Sequence, residues 1–95
     1  MAQIESNRVV ITVLGKNRCG IVAEVSRVLA QNNVDIREIT QSIVDEVFTM
    51  TMITSLPKEG CNFAELQDIL QTSAEKLGVD VHIQREDVFN FMYRL

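Results

Sequence analysis

Gly15-Lys16-Asn17-Arg18-Cys19-Gly20 gathers more anion-binding chemistry than any other stretch of the chain. It lies between a strand-like run, Val9 to Leu14, and an amphipathic pattern opening at Ile21. A glycine-bounded loop that enters a helix leaves backbone N–H groups unpaired at the positive end of the helix dipole. Such an end suits a carboxylate or a phosphate. Lys16 and Arg18 add two cations to the same loop. The spacing resembles the start of a nucleotide-phosphate loop, but Ile21-Val22 stands where Lys and Ser or Thr are required, so triphosphate hydrolysis is excluded. The plainer reading of Gly15 and Gly20 is a tight turn and close helix packing. Cys19, at a helix start beside Arg18, has the setting of a low-pKa thiol. A small, weakly polar filler is the simpler role for it.

The remaining reactive residues do not assemble into a catalytic set. His82 is the single histidine and alternates with Val81 and Ile83, which turns it toward the back of a sheet or solvent. A catalytic histidine would need a nucleophile and an orienting partner, and spacing identifies neither. Cys61 precedes a helix cap, with no basic neighbour nearer than Lys58. Asp45-Glu46 and Glu86-Asp87 are adjacent pairs, which suit solvated turns or caps better than convergence on one metal ion. Met50 and Met52 repeat at period two and belong to a strand core. No catalytic residue, metal site or cofactor is expected, and the chain reads as a binder.

Composition narrows the class further. The chain has 95 residues, 46% of them hydrophobic, enough for one core and too few for two. A flexible, mostly polar segment over residues 1–7 is expected to precede a single domain over residues 8–95. The net charge of −4, with nine scattered Lys and Arg, argues against a nucleic-acid partner. The two cysteines lie far apart and lack zinc or redox-pair spacing. No secretion signal follows Met1 and no apolar run approaches membrane-spanning length, so a cytoplasmic protein without a membrane partner is expected.

The elements that must position the loop follow from periodicity. Val9 to Leu14 is short, β-branched and apolar on both faces, as a central strand would be. Ile21, Val22, Val25, Val28 and Leu29 form one helical stripe, with Glu24, Arg27 and Gln31 on the wet side. Asn32-Asn33 ends that helix. Val34 to Val44 reads as a long strand whose apolar phase shifts between Ile36 and Ile39, predicting a bulge. Asp45-Glu46 turns the chain into a strand over Val47 to Ser55, with Phe48, Met50 and Met52 on one face, and the two strands make a hairpin. Asn62 and Glu65 form a capping-box pair for a second helix, whose apolar residues are Phe63, Leu66, Ile69, Leu70, Ala74 and Leu77. Gly78 ends it, Val79, Val81 and Ile83 mark a half-buried strand, and Glu86 to Tyr93 is predicted as a short C-terminal helix.

The order strand, helix, strand, strand, helix, strand implies an α+β, ferredoxin-like βαββαβ fold. It has a four-stranded antiparallel sheet with both helices on one face. Two helices cover only one side, yet Val10 and Leu14 are apolar on the other. That predicts an apolar back face covered by a second copy about a two-fold axis, with the C-terminal helix as the competing cover.

The loop Gly15 to Val22 and the later Asn33-Val34-Asp35-Ile36 resemble the ACT domain, a small-molecule-binding regulatory module. Ile39-Thr40-Gln41 and Asp45 to Met50 are similar to the bacterial and archaeal family whose members consist of a single ACT domain. The likeness runs from about Arg8 to the C-terminus. It implies a homodimer or higher assembly that binds an amino acid or related carboxylated metabolite between the first loop of one subunit and the second strand of a neighbour. Carried over by position, Asn17, Arg18, Cys19, Gly20 and Ile21 form the loop side of a ligand site, and Asp35 and Ile36 the strand side. The usual loop proline is Cys19 here, which adds a backbone donor. The usual asparagine before Ile36 is Asp35, which cannot donate a hydrogen bond when ionised but can accept a ligand ammonium. The output would pass to a separate enzyme or regulator. The competing expectation is an assembly or interaction subunit that binds no ligand and uses the back face with Phe89, Met92 and Tyr93. A small enzyme with Cys19 as nucleophile is the third and weakest reading.

Overall fold

A computed structural model describes residues 7–16 and 20–85. The expected C-terminal helix over Glu86 to Tyr93 and the expected flexible segment, Asn7 apart, lie outside the described residues. Alternation of Val9, Ile11 and Val13 with Val10, Thr12 and Leu14 builds a strand, β1 (Arg8–Lys16), that is closed to solvent through its first half on both sides. The stripe from Ile21 follows as α1 (Ile21–Gln31), which buries Ile21, Val25, Val28 and Leu29. Its end is fixed as the sequence predicts. Asn33 takes φ +60°, a backbone that Asn tolerates, and the Asn32 side chain donates to the Val28 carbonyl at 2.8 Å.

The hairpin is β2 (Asp35–Val44) and β3 (Val47–Ser55), joined through Asp45 at φ +58°. The predicted phase shift is present as a bulge between Ile36 and Glu38. Phe48, Met50, Met52 and Thr54 face inward along β3, and the Thr54 hydroxyl donates to the Val9 carbonyl at 3.0 Å. α2 (Phe63–Leu77) carries the full capping box. Glu65 N donates to Asn62 Oδ1 at 2.9 Å and Asn62 N donates to Glu65 Oε1 at 3.1 Å. Gly78, at φ +74°, closes the helix and leads into β4 (Asp80–Arg85).

The strands order β2-β3-β1-β4, with every neighbouring pair antiparallel. Both helices share one core with the inward side of that sheet, so the ferredoxin-like arrangement holds. Met50, Met52, Leu66 and Leu70 are fully closed to solvent. Each such side chain contributes about 1.5–3 kcal/mol by leaving water.

Two expectations change. Glu24 does not simply face water: its carboxylate meets Arg27 on its own helix, and Ser73 and Lys76 on α2. Nor is the back of the sheet a continuous apolar patch. Val10 and Ile53 lie there among Thr12, Thr40, Thr49, Thr51, His82 and Gln84, on rows set by the strand register. Threonine keeps the β-branched shape that a strand favours while presenting a hydroxyl, so the strand pattern persists without an apolar surface. Of the exposed large apolar side chains, Leu14, Val44 and Val47 lie on this same back side at the hairpin-tip end, and Ile39 and Ile43 on the side that carries the helices.

Candidate functional site

β1 delivers its chain to one end of the sheet, and α1 starts at that same end. Gly15 is in the strand, and a Cβ there would lie 2.8 Å from Val79 Cγ1, so its lack of a side chain permits close approach of the segment entering β4. Lys16 follows, paired with Glu46 of the hairpin tip at 3.9 Å. Both are exposed, and a pair of that kind adds little stability. Asn17, Arg18 and Cys19 lie outside the described residues.

Gly20 is the N-cap of α1 at φ +88° and ψ −3°, and no side chain caps the helix there. A Cβ at Gly20 would meet nothing within 4 Å. Gly20 O accepts from Glu24 N at 2.8 Å, so the helix is properly started. Among the described residues, however, no side chain caps its first amides. Ile21 is 1% exposed, so its side chain belongs to the core and only its main chain is available to a ligand.

Asp35 and Ile36 sit at the other end of the sheet. Asp35 stands opposite Ser55, and Ser55 opposite Arg8, at the start of β1. Eight residue steps along β1 separate that row from Lys16, about 27 Å at strand rise. Asp35 is exposed and accepts from Arg37 Nη1 at 3.3 Å, while Ile36 packs half-buried against the core. Within one chain, then, Gly20 and Ile21 come together, as do Asp35 and Ile36, but the two groups do not meet. Strand direction could have revealed this. A helix crossover makes β1 and β2 parallel, so the start of β2 lies beside the start of β1.

Among the described residues, two hollows lie at the end of the sheet away from Gly20. One, of about 340 Å³, is lined by Asn7, Leu56, Lys58, Phe63 and Arg85 among others, with the Arg85 guanidinium 5.6 Å from the centre of the Phe63 ring. The other, of about 290 Å³, lies between the end of α1 and the first turns of α2. Cys61 borders both and is buried. Burial, and then the nearby Glu65 charge, push its thiol pKa up, which disfavours the reactive thiolate. His82 is exposed opposite Thr12. Among the described residues, no three His, Cys, Asp or Glu side chains gather in a metal-binding group.

Against known proteins, residues 7–84 match the ACT domain family. The chain belongs to that family. Its relatives include a UPF0237 protein of Methanocaldococcus jannaschii, 44% identical over 89 residues, which span 94% of this chain and 99% of that protein. Another, from Listeria innocua, is 43% identical across 93% of this chain and 99% of its own length. Among solved structures, an ACT domain protein from Streptococcus pneumoniae superposes with a TM-score of 0.78 at 34% identity, covering 90% of this chain and 96% of that one. The ACT domain is a regulatory, small-molecule-binding fold, and among the described residues of this one no side chain caps the start of α1. No helix among the described residues is long and apolar enough to cross a membrane.

Proposed function

We propose that this ACT domain is a non-enzymatic regulatory module that binds an amino acid, or a closely related carboxylated metabolite, as a homodimer in the cytoplasm. The observation that carries the reading is the contrast between the helix starts. Asn62 and Glu65 satisfy the first amides of α2, whereas α1 opens on a left-handed Gly20 that offers no capping side chain. A ligand carboxylate placed there would do for α1 what the capping box does for α2, aided by the helix dipole.

The second half of the site comes from another copy. Asp35 lies too far along the sheet to reach Gly20 of its own chain, so a site using both needs two subunits. Asp35 then receives the ligand ammonium, and its exposed pairing with Arg37 is weak enough to be exchanged. Binding at a junction of subunits favours one arrangement over another by its difference in affinity, which is how the domain signals to a separate enzyme or regulator.

Thermal shift against the twenty amino acids tests the reading, because a ligand of the folded state raises Tm by mass action. One or a few amino acids should raise it, and Asp35→Ala should abolish the rise and weaken calorimetric affinity. No shift with any amino acid at millimolar concentration would overturn ligand binding in favour of an assembly subunit.

A further inference from the structure

The hollow of about 340 Å³ at the end of the sheet away from Gly20 is walled by separate parts of the chain. Asn7 comes from just before β1, Leu56, Pro57 and Lys58 from the connection between β3 and α2, and Arg85 from the end of β4. That connection is anchored at its start, where Leu56 N donates to Asn7 O at 2.8 Å and Asn7 Nδ2 donates to Leu56 O at 3.3 Å. It is anchored again at Asn62, the cap of α2. Phe63, one residue on, supplies the ring beneath the Arg85 guanidinium. The volume falls at the small end of the range for metabolite sites.

The charges around this hollow differ from those elsewhere on the chain. Lys16 meets Glu46, Arg27 and Lys76 meet Glu24, and Arg37 meets Asp35. Lys58 and Arg85 meet no carboxylate among the described residues, and no acidic side chain lines the hollow that they share. Glu65 is held on the Asn62 amide and borders the other hollow. On a chain of net charge −4, two such cations bordering one cavity are a local departure. The contact with Phe63 gives the Arg85 N–H donors no acceptor, so the planar guanidinium remains available to an anion.

We propose that this hollow is a second ligand site, which takes a small aromatic acid lacking an amine. The anionic group, a carboxylate or a phosphate monoester, lies on Arg85 and Lys58, and the ring packs among Phe63, Leu56 and Pro57. Apolar walls with a few convergent polar groups are the usual make-up of such a site, and both an aromatic ring and a guanidinium favour the face of another ring. An ammonium would find no carboxylate in this lining, so a free amino acid is disfavoured here. The site lies within one chain and does not depend on the homodimer or on the start of α1.

Amide NMR titration of the isotope-labelled chain tests the assignment, with phenylacetate, phenyl phosphate and phenethylamine as probes. One or both acids should move the resonances of Leu56, Lys58, Phe63 and Arg85, and their relative affinities tell which anion the two cations prefer. Phenethylamine, with the same ring and the opposite charge, should leave those resonances in place. Lys58→Gln and Arg85→Gln should each weaken binding of the preferred acid about tenfold, the loss expected when a charged hydrogen-bond partner is removed. Both positions are exposed, so the fold should survive, and circular dichroism checks it. If Arg85→Gln does not fold, Lys58→Gln alone carries the test. Shifts confined to Gly20 to Glu24, an equal response to phenethylamine, or binding that the folded variants leave unchanged would each overturn the site. So would the absence of any shift with either acid at millimolar concentration. The amino-acid reading of α1 is tested separately, by the thermal-shift screen.

Discussion

A methyl group added at Gly15 would lie 2.8 Å from Val79 Cγ1 and 3.2 Å from Val79 Cα, whereas one added at Gly20 would find open space. The two glycines therefore answer different demands. Gly15 is required by packing, and the backbone of Val79 cannot simply rotate away as a flexible side chain would. Gly15→Ala should destabilise by about 1–3 kcal/mol in urea unfolding, the usual cost of overpacking. Gly20 is required by backbone shape, at φ +88°. Gly20→Ala should cost about 1–2 kcal/mol from the left-handed conformation alone. If Gly20 also borders the ligand, the same variant should lower amino-acid affinity, whereas Gly15→Ala should leave affinity close to natural once folded. Measuring stability and calorimetric affinity on both separates the roles.

At the level of elements, α1 and α2 are tied by a single carboxylate. Glu24 accepts from Arg27 at 2.8 Å and from the Ser73 hydroxyl at 3.4 Å, with Lys76 at 3.6 Å. The Arg27 hydrogen bonds are the main cause of a Glu24 pKa below the ordinary glutamate range, and they prevail over the opposing effect of desolvation. A pKa lowered on folding stabilises the folded state above the unfolded value, and that stabilisation is lost as pH falls through the folded value. Stability should therefore decline on acidification below the ordinary glutamate range, and Glu24→Gln should flatten the decline when unfolding is followed across that range. An unchanged acid profile in Glu24→Gln would assign the decline to other carboxylates. The α2 capping box predicts a separate effect. Asn62→Ala should cost about 1 kcal/mol by chemical denaturation, since it removes the acceptor for Glu65 N.

For the whole molecule, the sheet order decides what can act together. β1 and β2 both run away from the row that holds Arg8, Ser55 and Asp35, so the loop half and the strand half of the site finish at opposite ends. An assembled site therefore carries a concentration dependence. The Tm of the protein should rise with protein concentration, and the rise conferred by a bound amino acid should shrink in a variant that stays monomeric. A Tm independent of concentration over two decades would contradict a dimer linked to folding.

Most of the fold was legible in the residues because each element announces itself locally. Asn33 could end α1 because Asn tolerates a left-handed backbone, Asn62 and Glu65 bond to each other's amides, and the phase slip between Ile36 and Ile39 has no regular-strand solution. Those are short-range effects, decided within a few residues. The glycine N-cap of α1 was legible for the same reason, since a glycine before an amphipathic stripe offers the helix no side chain to cap it. What only the tertiary structure decided depends on which distant residues meet. The chain pattern cannot say that Gly15 lies against Val79, that Glu24 faces Ser73 instead of water, or that the helices stop short of Ile39 and Ile43. Packing of separate elements sets those contacts, and it left apolar side chains exposed both at Ile39 and Ile43 of the β2 edge and at Leu14, Val44 and Val47 on the back of the sheet.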